Sequence, residues 1–247
     1  MQRQDRQDTV WQDPTLVRTY LDKLVGGVPF GAAQLEIALR VIEARGEPVR
    51  NFVDLGCGGG AVAQALLSGY PQARATLVDF SEPMFEAARA TLGRHDPTPK
   101  FVIGDLAHPD WVRSIAADAP FDLVVSRYAI HHLTDQRKRE LYGEIFERLL
   151  PGGMFINVEH VVSRTPWIES LSDELMIDSI HAFQTSQGSD KPRTQLAEEF
   201  YARPDKAANI LAPVEQQCQW LREIGFADVD CYFKVFELAV FGGRRSV

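Results

Sequence analysis

The sequence predicts an α/β fold built on a mostly parallel sheet, and three observations carry that prediction. Between residues 49 and 160, short β-branched runs alternate with amphipathic helical patterns. Such alternation requires right-handed crossovers between parallel strands. The runs are nearly continuously apolar, as strands covered on both faces must be. A glycine cluster, Gly56-Cys57-Gly58-Gly59-Gly60, joins the first run to the first helical pattern.

Residues 1–48 hold two helical patterns, roughly 14–25 and 31–45, linked by Gly26-Gly27-Val28-Pro29. Strands are expected over Val49–Leu55, Ala75–Asp79, Lys100–Ile103, Phe121–Ser126 and Met154–Glu159. One helix is expected after Gly60, one from Ser81 as N-cap with Pro83 in its first turn, and one from Thr134. The last aligns Leu141, Ile145 and Leu149 on one stripe, sets Glu144 against Arg148 outside it, and ends at Pro151-Gly152-Gly153. Residues 161–212 are polar and helical in places, punctuated by Gly188, Pro192 and Pro204. Val214–Ile224 forms a helix closed by Gly225. Asp228–Lys234 and Val235–Gly242 then follow as an antiparallel hairpin or bulged ribbon at a sheet edge.

The chain has 247 residues, enough for one large domain or one domain with an insertion. Twenty-six Lys and Arg against 34 Asp and Glu leave a net charge of −8, which argues against a sequence-independent grip on DNA or RNA. Cys57, Cys218 and Cys231 cannot all pair and form no C-x-x-C clip, so reduced thiols and no metal site are expected. The polar start lacks an apolar signal region, and no run approaches the ~18 apolar residues of a spanning helix. A cytoplasmic location without membrane contact is the expectation.

The chemistry concentrates around the glycine cluster. Glycines there permit a tight turn and bring backbone N–H groups and a helix N-terminus against a ligand. The loose Gly56-x-Gly58-x-x-Ala61 match also fits a dinucleotide fingerprint, so a nicotinamide oxidoreductase stays an alternative. Asp54 precedes the first glycine by two residues. A buried carboxylate there repels a pyrophosphate and welcomes an ammonium. Asp79, ending the second strand, is placed to accept ribose hydroxyls, or else to cap the following helix. A ligand with a ribose at one end and an amine at the other has the shape of S-adenosylmethionine.

The chain resembles the class I S-adenosylmethionine-dependent methyltransferases over about residues 49–160 plus the terminal hairpin. Five motifs stand in the family's order: Asp54–Gly60, Asp79-Phe80-Ser81-Glu82-Pro83-Met84, Gly104-Asp105-Leu106, Ser126–Leu133 and Leu149–Phe155. The resemblance implies a Rossmann-like, seven-stranded, mostly parallel sheet with an antiparallel C-terminal hairpin and a helical lid. It implies S-adenosylmethionine as cofactor, leaving as S-adenosylhomocysteine. Its binding residues are then Asp54, Gly56, Gly58, Gly60, Asp79, Phe80, Met84, Asp105, Leu106, Ser126 and His131, although Phe80 and Met84 also suit a plain core. Residues 49–160 and 213–247 become the core, 1–48 an N-terminal lid and 161–212 an insert over the acceptor.

His131, His132 and Glu159 are the catalytic candidates, with His160 beside them at the C-terminal edge of the sheet. In the family that the chain resembles the His-His-Leu run is frequent across enzymes with different substrates, which favours a role in shaping the site. Tyr20, Phe30, Trp167, Phe183 and Tyr201 are expected as apolar walls. The partner implied is a small-molecule acceptor methylated by in-line displacement, with no DNA and room for a homodimer. The flanks, Gly27-Val28-Pro29-Phe30 and Gly225-Phe226 to Gly243, resemble the branch containing carboxy-S-adenosylmethionine synthase, of the tRNA wobble-uridine pathway. That branch uses an arginine of the insert on a carboxylated sulfonium. Arg203 lies near the equivalent place and is expected instead at the surface.

Overall fold

The computed structural model describes residues 6–246. Five parallel strands, β1 (Asn51–Leu55), β2 (Arg74–Asp79), β3 (Lys100–Ile103), β4 (Phe121–Arg127) and β5 (Leu149–His160), are joined by β6 (Phe226–Val235) and β7 (Leu238–Arg245). They stand in the order β3-β2-β1-β4-β5-β7-β6, with β7 antiparallel to both neighbours. The expected hairpin is therefore present. Its register shifts between Ala227 and Asp230 and again between Cys231 and Phe233, which makes it a bulged ribbon. The chain runs outward from β1 to β2 and β3, then returns to place β4 on the other side of β1. Ligands in open α/β sheets bind where strand order reverses in this way.

The helices are α1 (Pro14–Lys23), α2 (Gly31–Glu43), α3 (Ala61–Gly69), α4 (Glu82–Leu92), α5 (Trp111–Ser114), α6 (Asp135–Arg148), α7 (Pro166–Ser186), α8 (Arg193–Ala202) and α9 (Val214–Ile224). Local chemistry sets most starts. The side chains of Asp13, Ser81, Thr134 and Thr165 accept first-turn amides of α1, α4, α6 and α7, and proline follows the cap in α1, α4 and α7. Gly225 closes α9 at φ 114°.

Two expectations in α6 are corrected. Glu144 does not pair with Arg148; it accepts from Arg137 Nη1 at 2.8 Å and from the Trp111 indole at 2.7 Å, because α5 packs beside it. The helix also ends at Arg148, and Leu149 to Gly153 already belong to β5.

Two buried clusters sandwich the sheet. Val53 and Leu55 of β1 join Val124, Tyr142 and Trp220 beneath α6 and α9. Phe52 joins Val62, Leu66, Phe85 and Val125 beneath α3 and α4. Alternation along β1 therefore puts Asp54 on the α3 face. Among the described residues no single helix is long and apolar enough to cross a membrane.

Candidate functional site

The loop after β1 wraps around the end of β2. The Gly56 and Cys57 amides both donate to the Val78 carbonyl, at 2.8 and 3.1 Å. Gly56 sits at φ 65°, and a Cβ there would stand 2.2 Å from that of Ala129, so only glycine lets the loop lie against β4's exit. Asp79 Oδ2 accepts the Gly58 amide and Oδ1 the Ser81 amide, each at 2.9 Å. This carboxylate ties the glycine loop to the cap of α4 and keeps lone pairs for a ligand. Burial pushes its pKa up, against the pull of those amides.

Asp54 is different. It is 1% exposed, and neither carboxylate oxygen meets a hydrogen-bond partner among the described residues. Desolvation, then the charge of Asp79, pushes it up to about 7, eased by the Ala63 amide from beyond hydrogen-bond reach and by Arg127.

Above the loop lies a first cavity of about 100 Å³, lined by Gly56, Gly58, Asp79, Phe80, Met84, Asp105 and Leu106 together with Trp11, Arg127 and Tyr128. The N-terminal segment covers one side of it. Arg6 forms an ion pair with Asp105, whose Oδ1 also takes the Ala107 amide at 3.0 Å. Arg6 also pairs with Asp8 at 2.6 Å, and its guanidinium lies 5.9 Å from the Phe80 ring centre. The Trp11 carbonyl accepts the Ser81 hydroxyl at 2.6 Å.

A second cavity, of about 270 Å³, shares Trp11, Tyr20, Tyr128 and His132 with the first and extends under α7. His131 Nδ1 stands 2.6 Å from Glu159 Oε1 and donates to it, which leaves Nε2 as the basic nitrogen. His160 is held by Glu237 at 3.0 Å. His132 is placed otherwise: its Nε2 accepts the Trp11 indole N–H at 3.1 Å, so its proton sits on Nδ1, which donates to the Ala208 carbonyl at 3.2 Å. Burial, then neighbouring His131, drives the His132 pKa well below the usual imidazole range.

The family model for a methyltransferase domain matches residues 52–153. Residues 52–153 form an S-adenosylmethionine-dependent methyltransferase domain. The chain is 28% identical over 240 residues to a carboxy-S-adenosyl-L-methionine synthase of Aeromonas hydrophila, covering 95% of this chain and 89% of that one. It is 30% identical over 165 residues to a trans-aconitate 2-methyltransferase of an Acidovorax species, covering 67% and 57%. Among solved structures it superposes on an O-methyltransferase family protein of Burkholderia thailandensis with TM-score 0.58 and 19% identity, covering 88% of this chain and 58% of that one. It superposes on human N-acetylserotonin methyltransferase in complex with S-adenosylmethionine with TM-score 0.59 and 15% identity, covering 100% and 61%. The chain thus spans about three fifths of each solved structure, and this likeness concerns the fold.

Several expected residues stand elsewhere in the fold than the sequence suggested. Ser126 does not line the first cavity; its hydroxyl donates to the Leu55 carbonyl at 2.8 Å and clips β4 to β1. Gly60 lies behind the loop, where a Cβ would come within 3.2 Å of Ala88 as α3 packs on α4. His131 faces the second cavity, not the first, and Asp54 lies buried and lines neither.

Of the five expected aromatic walls only Tyr20 lines a cavity. Trp167 is 70% and Tyr201 51% exposed, Phe30 packs on Phe233, and Phe183 closes on Gly26. The face of α7 turned to the cavity carries Glu169, Ser172, Asp173, Met176 and Ile180, and Trp167 falls off that stripe.

Arg203 is not a free surface residue. It enters the second cavity's wall, pairs with Asp205 at 3.0 Å and lies 5.0 Å from the Phe200 ring centre. Trp11 was missed, and Arg127 and Tyr128 were included only within the Ser126–Leu133 motif, not singled out as site residues. For Arg127 and Tyr128 a signal existed, since they directly follow Ser126 at the C-terminal end of a central strand. Among the described residues no group of three or more His, Cys, Asp or Glu has metal-holding geometry.

Proposed function

We propose that this chain transfers the methyl group of S-adenosylmethionine to a small, uncharged acceptor held in the second cavity. The observation that carries the reading is the continuity of the two cavities, from the Asp79 carboxylate to the His131–Glu159 pair through the shared Trp11, Tyr20 and Tyr128. The donor set fits the cofactor: the unpartnered Asp54 suits an ammonium, Asp79 a ribose, Phe80 and Met84 an adenine face, and Asp105 and Leu106 its amine edge, once Arg6 yields Asp105. Bound there, S-adenosylmethionine supplies a methyl group already activated on a sulfonium.

The chain's own work is to align the acceptor, exclude water and accept a proton. Glu159 fixes the His131 tautomer so that Nε2 takes the acceptor's proton. His132, with both nitrogens engaged, serves as a strut between the N-terminal segment and the insert. The uncharged acceptor is supported by pairing of the second cavity's cations, where Arg203 meets Asp205 and Lys206 meets Asp173. Residues from Trp11 to Val28 and from Glu169 to Leu211 supply most of that cavity's walls, which supports a role for the two flanking segments in acceptor choice.

Screening metabolites for release of S-adenosylhomocysteine tests the reading and identifies the acceptor; a protein that binds no S-adenosylhomocysteine refutes it. A second reading, synthesis or use of a carboxylated sulfonium, is supported by the Aeromonas hydrophila relative and by Arg203 in the cavity wall. The Asp205 carboxylate at 3.0 Å meets part of that arginine's charge and weighs against it, while the arginine's Nε stays without a partner among the described residues. Mass spectrometry of the ligand carried through purification separates the two.

A further inference from the structure

Arg127 ends β4 on the same sheet face as Asp54, because Val125 stands beside Asp54 in the β1–β4 register and side chains alternate. The arginine lines the first cavity, with its guanidinium 5.3 Å from the Tyr128 ring centre. Its Nε is buried and meets no hydrogen-bond partner among the described residues. Its Nη2 reaches the first turn of α2, 3.4 Å from where a Gly31 Cβ would stand. No side chain caps that turn, so a guanidinium and the positive end of a helix share one corner. Like charges crowded in this way cost free energy until an anion joins them.

Across the same face the Asp54 carboxylate also has no partner, so the two charges do not satisfy each other. One unpaired acid and one unpaired cation on one face are complementary to a zwitterion. An α-amino acid group carries its ammonium and carboxylate on a single carbon and matches that arrangement.

We propose that Arg127 binds the α-carboxylate of the cofactor's amino-acid end, opposite Asp54 at the ammonium. This rests on the S-adenosylmethionine reading above. A carboxylate on the acceptor is the other source of the same chemistry; the unpartnered Asp54 on the same face favours the cofactor.

Titration calorimetry with two ligands tests the assignment. S-adenosylhomocysteine carries the amino-acid group, whereas 5′-methylthioadenosine keeps the purine, ribose and thioether without it. Arg127→Gln is expected to weaken S-adenosylhomocysteine roughly tenfold to hundredfold, the range of a charge-assisted hydrogen bond, and to leave 5′-methylthioadenosine unchanged. Arg127→Lys should fall between. If the Gln variant does not fold, the Lys variant's ratio of the two affinities against wild type makes the same comparison. Equal weakening of both ligands, or of neither, overturns the assignment and leaves the cofactor reading standing. Unchanged S-adenosylhomocysteine affinity with lost turnover of a carboxylated acceptor overturns it in favour of the acceptor. Wild-type protein that binds neither ligand overturns the cofactor reading and this inference together.

Discussion

The two cavities treat charge in opposite ways. Around the first, Asp54 and Arg127 each have buried polar atoms without a partner among the described residues. Around the second, four acid–base contacts close within 3.0 Å, His131–Glu159, His160–Glu237, Arg203–Asp205 and Lys206–Asp173, although Arg203 Nε and Asp205 Oδ1 meet no partner among the described residues. An unpaired buried charge is tolerated where an invariable ligand brings its complement, since the cost is offset each time the ligand binds. Internal pairing suits a place where the protein must present a defined base to an acceptor that supplies no counter-charge. On this view the first cavity is specified by its ligand and the second by its own hydrogen bonds.

The sharpest way to break the contrast is at Glu159. Replacing it by Gln removes the carboxylate that fixes the His131 tautomer, so turnover of a hydroxyl acceptor should fall about 100-fold to 10,000-fold. S-adenosylhomocysteine affinity should hold, because Glu159 lines neither side of the first cavity. Turnover within threefold of wild type in single-turnover assays would remove His131 as base.

Asp54 offers the next largest effect, read through pH. Its carboxyl ionises near the usual carboxylate range when unfolded and near 7 when folded. The folded state is therefore penalised progressively as pH rises from about 4 to about 7, and by a constant amount above, up to about 4 kcal/mol. Asp54→Asn should raise the ligand-free melting temperature at pH 7.5 and not at pH 4. Because an ammonium favours the ionised carboxyl, wild-type affinity for S-adenosylhomocysteine should rise between pH 5 and 7 and then level off. An Asn variant with the same pH profile would show that Asp54 does not meet the ligand.

Asp79→Ala should cost roughly 1.5–3 kcal/mol of S-adenosylhomocysteine affinity through lost ribose hydrogen bonds. Part of any loss could come from the loop, since Gly58 and Ser81 would also lose their acceptor. Asp79→Asn keeps one acceptor oxygen and separates the two contributions by calorimetry.

The smallest effect belongs to the strut. Trp11→Phe keeps an aromatic ring against Tyr20 but deletes the indole donor to His132, a change of about 1 kcal/mol. Hydrogen-exchange mass spectrometry should show faster exchange in residues 6–23 and around Ala208, and ligand should slow both together. Unchanged exchange at Ala208 would uncouple the N-terminal segment from the insert.

Much of this protein was legible in its sequence, and what was legible is local. Ser81, Thr134 and Gly225 mark helix ends because a cap acts on amides three or four residues away. Gly56 and Asp79 announce a tight glycine loop at the strand ends because turn chemistry is a short-range feature. The apolar runs gave strands because residues covered on both faces need no partner's identity to be recognised. Tertiary structure alone decided which charges meet. Glu144 turned from Arg148 to Arg137 because α5 brought Trp111 alongside. Arg203 left the surface for Asp205, and His132 lost its freedom to Trp11, 121 residues away. Arg127 and Asp54 became a pair of open charges only when β4 returned beside β1. The physical reason is range: capping and periodicity act within a turn or two of chain, whereas desolvation and pairing depend on neighbours that only the folded topology supplies.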